Sequence, residues 1–292
     1  MKDHTLDVRI LVLMLLALEL GTSACGAQNL ALTHVKTGPE QSMDVTIPYD
    51  ADQSQSSLKL DFIAGDLTLT PGGSDAVVTG TARYNADEFV PTITADGTSY
   101  MVSQDKDGKK AVPSNKDEIV NAWNLSLTDQ PLDLNINAGV YNGKFELGGL
   151  SLTSLKIDEA GSELECNFSE PNKVKMSVFD VVTGGSKMSM NGLANANFDK
   201  MTFVAGAGDY TLRFNGQLQH DVNVSTESGA GVVTLIIPNG VNALVNYNGG
   251  LSAVEASDGW TQQENTYTHA GSGPTITINV QMGVGTLNLR SE

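Results

Sequence analysis

Cysteine is nearly absent from this 292-residue chain, which has only Cys25 and Cys166, so no disulfide scaffold is available to hold it. Basic side chains are also scarce, 17 against 34 acidic ones, giving a formal charge of -17. That balance lacks the basic footprint a phosphate backbone requires, and no nucleic-acid partner is expected. Aromatic residues make up 6% and charged residues 17%, which leaves the surface to Thr, Ser, Asn and Gly. No Walker-type phosphate loop, dinucleotide fingerprint or nucleophile elbow occurs. Beyond residue 24 the histidines His34, His220 and His269 stand in unrelated settings and form no short metal-binding cluster. The expectation is a chain with no metal site, no cofactor and no catalytic residues.

What is present begins at the front. Lys2 and Arg9 flank a short leading segment, and residues 10–20 are apolar except for Glu19. This run is too short for a membrane span and of the right length for a signal-peptide core. It ends in Leu20-Gly21-Thr22-Ser23-Ala24-Cys25-Gly26, which resembles a bacterial lipoprotein processing site, although Thr22 replaces the usual aliphatic residue. The resemblance implies a signal peptide over 1–24, a lipid on Cys25 and a location in the bacterial cell envelope, held to the membrane by that lipid. A conventional cleaved signal is the alternative. The remaining body carries 15 basic and 31 acidic side chains, a charge of -16. Cys166 alternates with Leu164 and Phe168 and reads as a buried small hydrophobe.

The body is all β by pattern. Residues 25–40 read as a lipid-proximal tether, 41–122 as a smaller N-terminal β domain, and 123–292 as a second β domain with a C-terminal cap. In the first, Ser42 to Pro48 and Leu58-Lys59-Leu60-Asp61-Phe62 alternate between apolar and polar residues, with Gly and Pro turns between such runs. Asp105-Lys106-Asp107-Gly108-Lys109-Lys110 reads as a tight polar turn, because the distal acidic ligand of a calcium loop is missing. Asn115 to Trp123 is the best candidate for a short helix or linker.

The second part repeats. Gly161-Ser162-Glu163-Leu164-Glu165-Cys166, Gly185-Ser186-Lys187-Met188, Gly208-Asp209-Tyr210-Thr211-Leu212 and Gly231-Val232-Val233-Thr234-Leu235 share a glycine followed by alternating apolar residues. Leu164, Met188, Tyr210 and Val233 are spaced by 24, 22 and 23 residues, and Phe145 precedes Leu164 by 19. The motif returns at Gly283-Val284-Gly285-Thr286-Leu287, 54 residues after Val233, a distance with room for two longer coils. A period of this length with about three short strands fits one coil of a single-stranded parallel β-helix, in which equivalent strands stack about 4.8 Å apart. A β-sandwich is the competing architecture.

Few residues invite chemistry. His220 beside Asp221, the pairs Asp87-Glu88 and Asp117-Glu118, and Gly206-Ala207-Gly208-Asp209 each read as turn or surface features, since adjacency alone positions neither a catalytic pair nor a phosphate. Trp260, Tyr267 and Tyr247, near Glu255 and Asp258, form either a shallow carbohydrate or peptide site or a cap over the end of the repeats.

The repeats at Gly161 to Cys166, Gly208 to Leu212 and Gly283 to Leu289 resemble the toast-rack and putative bacterial adhesin families, and the C-terminal β-helical domains of cell-envelope stress-response proteins. The resemblance covers roughly 130 to 290, with a separate toast-rack-like β domain before it. It implies a non-catalytic adhesin-like or structural interaction module that contacts an envelope protein or glycan. An envelope polysaccharide-acting enzyme using a groove on the β-helix is the alternative.

Overall fold

The computed structural model describes residues 31–292 except 51, 53, 105–110 and 116–117. Cys25, the signal segment and the Asp105–Lys110 turn therefore lie outside the described residues, as does Asp117. The first part of the chain contains β1 (Ala31–Thr33), β2 (Gln41–Pro48), β3 (Ser56–Pro71), β4 (Ala76–Tyr84), β5 (Thr92–Asp96), β6 (Ser99–Ser103), β7 (Ala111–Pro113) and β8 (Asn121–Leu127). There follow β9 (Pro131–Glu146), β10 (Ser151–Asn167), β11 (Val178–Thr183), β12 (Lys187–Asn191), β13 (Lys200–Arg213), β14 (Val222–Ile237), β15 (Gly240–Ala256), β16 (Trp260–Gln263), β17 (Thr266–His269) and β18 (Gly271–Ser291).

The fold is all β, with a large sheet of stacked repeats as its body. Long strands β3, β9, β10, β13, β14, β18 and β15 stack in parallel in that order, and β11 with β12 supplies the two halves of the layer between β10 and β13. Alternation decides which side chains go inside. Leu134, Leu155, Phe179, Met201, Val224, Ile278 and Val245 form one continuous inward column, each paired with the next, and all are fully buried. Burying one such side chain contributes about 1.5–3 kcal/mol.

Each long strand bends midway, and glycine occupies the bend in most layers. A Cβ on Gly206 would overlap the carbonyl oxygen of Gly184 in the preceding layer, and one on Gly283 would overlap that of Gly229. Gly231 adds a φ of +124° and sits over the Gly208 carbonyl. A side chain there would force neighbouring layers apart. The turns between β10 and β13 are held by buried amides. Asn172 accepts from Leu152 N at 2.8 Å and donates to Leu152 O at 2.8 Å, while Asn195 donates to Phe168 O at 2.9 Å.

The pairs Leu164–Met188, Met188–Tyr210 and Tyr210–Val233 stack as the spacing indicates. Three readings are corrected. Phe145 stacks on Cys166, not Leu164, because Gly143 lies opposite Leu164 and leaves room for its side chain. Val233 pairs directly with Leu287, so no coil lies between them. The chain instead runs from β14 into β15, turns back through the antiparallel pair β16–β17, and inserts β18 between β14 and β15. Trp123 belongs to β8, where Trp123, Leu125 and Leu127 alternate into the core, and not to a helix.

At the N-terminal end, β3 pairs in parallel with β9, with β8 along its second half and β6 along its first. β4 and then β2 extend antiparallel beyond β8, leaving β2 as an edge strand. The sheet and the main hydrophobic core run without interruption from Val45 to Leu289. They cross position 122/123, which falls inside β8. At the bend of β3, buried Gln104 accepts from Ile63 N at 3.1 Å and donates to Asn121 Oδ1 at 2.7 Å, and Asn121 donates to Ala64 O.

Gly206→Ala is expected to lower unfolding free energy by at least ~2 kcal/mol, because backbone must move to admit the methyl group. Gly73→Ala, whose Cβ meets nothing within 4 Å, is expected to leave stability within about 0.5 kcal/mol. Chemical denaturation of both variants checks this. Equal effects would show that close approach at the bend does not constrain the stack.

Candidate functional site

Parity along the strands gives the repeats one outward polar face on their first halves. Its central column runs Lys59, Asn135, Lys156, Asp180, Thr202, Ser225, Asn279 and Asn246, one residue per layer. Neighbours in such a column lie about 4.8 Å apart, and Asn246 donates to Asn279 Oδ1 at 3.0 Å. Two concavities lie on this face. Near its N-terminal end, the β5–β6 hairpin overhangs the sheet and encloses a groove of about 370 Å³, lined by Lys59, Tyr100, Asp133, Asn135 and Lys156. Lys59 is tied to Asp61 at 2.9 Å, whereas the exposed Lys156 presents its ammonium to solvent. At the opposite end, Glu227, Asn246, Asn248, Asn279 and Gln281 line a shallower groove of about 280 Å³. Amide, hydroxyl and ammonium groups of this kind donate and accept hydrogen bonds with polar ligands.

The three aromatics singled out from the sequence lie at the C-terminal end. Tyr267 and His269 face inward from β17, at 8% and 4% exposure. Trp260 pairs with His269 across the hairpin, with ring centroids 5.2 Å apart, and packs with Tyr247 against the main core. Tyr247 bonds through its hydroxyl to Ser252. Burial raises the Tyr267 phenol above its usual range. The aromatics therefore cover the end of the core with their rings, and Trp260 and Tyr267 share the hairpin that does so. His220 rests its ring nitrogens against Asp221 O at 3.0 Å and Asn197 Oδ1 at 3.2 Å, at an exposed turn. Asp87 and Glu88 belong to a short 3-10 turn.

A polar cluster that the sequence pattern hides is buried at the bend between β10 and the following layer. Glu159 Oε1 accepts from Ser162 at 2.6 Å and Ser186 at 2.7 Å, and Thr183 bonds Ser186 at 2.6 Å. Glu159 Oε2 and the Tyr141 hydroxyl have no hydrogen-bond partner among the described residues. Burial raises the Glu159 carboxyl above its ordinary value, although the Ser162 and Ser186 hydroxyls oppose the shift. Burial, followed by the nearby Glu159 charge, pushes the Tyr141 phenol well up. Glu159 occupies an inward position in a repeat otherwise filled by small or apolar residues. The signal in the sequence was its place two residues after Ile157, on the same parity.

Residues 36–178 match the family model described as the N-terminal domain of toast_rack, DUF2154. The resemblance to toast-rack proteins holds, and it falls on the N-terminal strands and the first layers of the stack. A putative cell adhesion protein from Clostridium sporogenes is 18% identical, with 86% of this chain and 100% of that one covered and a TM-score of 0.45. A putative adhesin from Bacteroides fragilis is 14% identical over 86% and 97%, with a TM-score of 0.41. A putative lipid binding protein from Parabacteroides distasonis is 11% identical over 86% and 97%, with a TM-score of 0.31. No curated protein matches the chain.

The raised Glu159 carboxyl carries a signed consequence. An acid whose folded value exceeds its unfolded value costs nothing at low pH. Stability then falls as pH rises from about 4.5 through the folded value, and levels off above it. Glu159→Gln keeps an acceptor for Ser162 and Ser186 and turns a donor toward Tyr141. It is expected to raise stability at pH 7 by ~1 kcal/mol and to flatten the pH dependence above pH ~4.5. Thermal unfolding from pH 4 to 8 measures both, and a Gln variant less stable at pH 7 would contradict the assignment.

Proposed function

We propose that this chain is an exported cell-envelope lipoprotein, acylated at Cys25, that acts without catalysis as an interaction module for a polar polymer of the envelope. The stack from β3 to β15 is read as a single-stranded parallel β-helix with a C-terminal cap, closed at its other end by β2, β4, β6 and β8. The observation that carries this reading is the outward polar column and the two grooves on the same face. A ladder repeating at each layer meets a repeating partner, such as a glycan strand, at many weak points, and the summed contacts give avidity. The amide and hydroxyl groups suit a hydroxyl-rich ligand, while Lys156 supplies a cationic point for acidic substituents. Match to a toast-rack domain supports the fold of the first layers; the polymer contact rests on the face itself.

Two measurements test the reading separately. Mass spectrometry of the natively expressed chain is expected to find the first residue at Cys25 with an attached lipid, and Cys25→Ser to move the protein from the membrane to the soluble fraction. An unprocessed or unacylated chain would remove the anchor. For the face, co-sedimentation with insoluble peptidoglycan is the probe. Lys156→Glu combined with Thr202→Glu is expected to weaken binding at least about tenfold with unfolding temperature unchanged, since both are outward positions. Absence of binding by the parent protein, or binding untouched by these changes, rejects the face. Release of soluble saccharide from the probe would make the chain an enzyme instead.

A further inference from the structure

Charge is spread along this chain except at one end. From Ser228 to Val254 there is no Asp, Glu, Lys or Arg, a stretch that holds the second half of β14 and nearly all of β15. β15 is the last layer of the stack, with β18 on its inner side. Its outer side is covered over the first half, where β17 pairs with Ala243 to Asn246 and Tyr247 N donates to Asn265 O at 2.9 Å. From residue 248 to 256 the outer edge has no strand partner among the described residues. Leu251 is 83% exposed and pairs in register with Val284, which is 51% exposed, so two large apolar side chains lie side by side at this edge.

An open edge of this kind is a template for another strand, and proteins guard such edges with charge or proline. The edge at the opposite end does so, since β2 carries Asp44 and ends at Pro48. β15 carries no charge before Glu255, whose carbonyl accepts from Arg290 at 3.3 Å.

We propose that a second copy of this chain occupies the edge, with Leu251 to Glu255 of the two copies paired antiparallel about a two-fold axis between the facing Ala253 residues. Ala253 then faces Ala253, Ser252 faces Val254 and Leu251 faces Glu255, whose carboxylate is paired with Arg290 at 3.3 Å, so no like charges are opposed. The segment is self-complementary, as a two-fold interface requires. Two bodies of charge -16 repel through their acidic faces, and this neutral end is where that repulsion is least. This inference goes beyond the polymer-binding reading and does not depend on it.

Sedimentation equilibrium of the purified full chain is expected to show a concentration-dependent dimer. Leu251→Glu sets a carboxylate opposite Glu255 of the other copy and is expected to shift the dissociation constant up at least about tenfold, with thermal unfolding unchanged because the side chain is exposed. Amide exchange at residues 248–256 is expected to slow as the parent dimerises and to stay fast in Leu251→Glu. A parent protein that remains monomeric overturns the proposal, as does a dimer whose 248–256 amides exchange freely. Protection of those amides only on addition of an envelope protein fraction assigns the edge to a different partner and also overturns it.

Discussion

The structure depends on how closely the backbone of one layer approaches the carbonyl of the layer before it at the bend of each long strand. Gly206 over Gly184, Gly231 over Gly208 and Gly283 over Gly229 leave no space for a Cβ. This contact fixes the separation of the layers at the bend, and with it the register on both sides. The apolar columns then supply most of the stabilisation, because every layer places its inward residues over those of the last. Where glycine is missing, another device fills the place: Ala160 stands under Gly184, and Glu159 beside it is held by Ser162 and Ser186.

A stack bound only to its neighbours must end somewhere, and each end solves the problem differently. At the N-terminal end, β3 is covered by β6 on one half and β8 on the other, so no strand spans the bend. Gln104 and Asn121 bridge that interval with side-chain amides, taking the hydrogen bonds of Ile63 and Ala64 that a further layer would have taken. At the C-terminal end, the aromatic hairpin covers only the first half of β15. The remaining half keeps an edge with no strand partner among the described residues and, unlike β2, has neither proline nor aspartate to guard it.

Much of this was legible in the residues. Leu164, Met188, Tyr210 and Val233 stack as their spacing indicates, because connections of similar length join those layers. The glycine before each motif marked the bend. Phe145 was misaligned because the link between β9 and β10 is shorter and Gly143 leaves a space opposite Leu164. Trp123 was read as helix or linker although Trp123, Leu125 and Leu127 alternate as a strand should; the polar residues before it obscured the pattern. Of the candidate site, the aromatic residues were legible as a cap. The grooves were not, since one depends on the β5–β6 hairpin folding over a face built from three distant strands.

The insertion of β18 was the least legible feature, because spacing reveals a layer and not the order in which layers are laid down. A distance of 54 residues looks like two missing coils but is one layer and a detour. Its entropic cost is modest: doubling a loop costs only about 0.6 kcal/mol. Against that, β18 buries Ile276, Ile278, Val280, Met282, Leu287 and Leu289, a gain on the order of 10 kcal/mol before chain entropy. The kinetic consequence is larger than the thermodynamic one. β15 has no parallel partner until β18 is in place, and the far end of β18 is tied down where Arg213 grips Glu292 at 2.8 Å and Asn239 N donates to Glu292 O at 2.7 Å. The final two layers therefore form together, whereas the layers from β9 to β14 close over links of little more than twenty residues. The middle of the stack thus grows one neighbour at a time, its last step is non-local, and the open edge of β15 is exposed throughout that step.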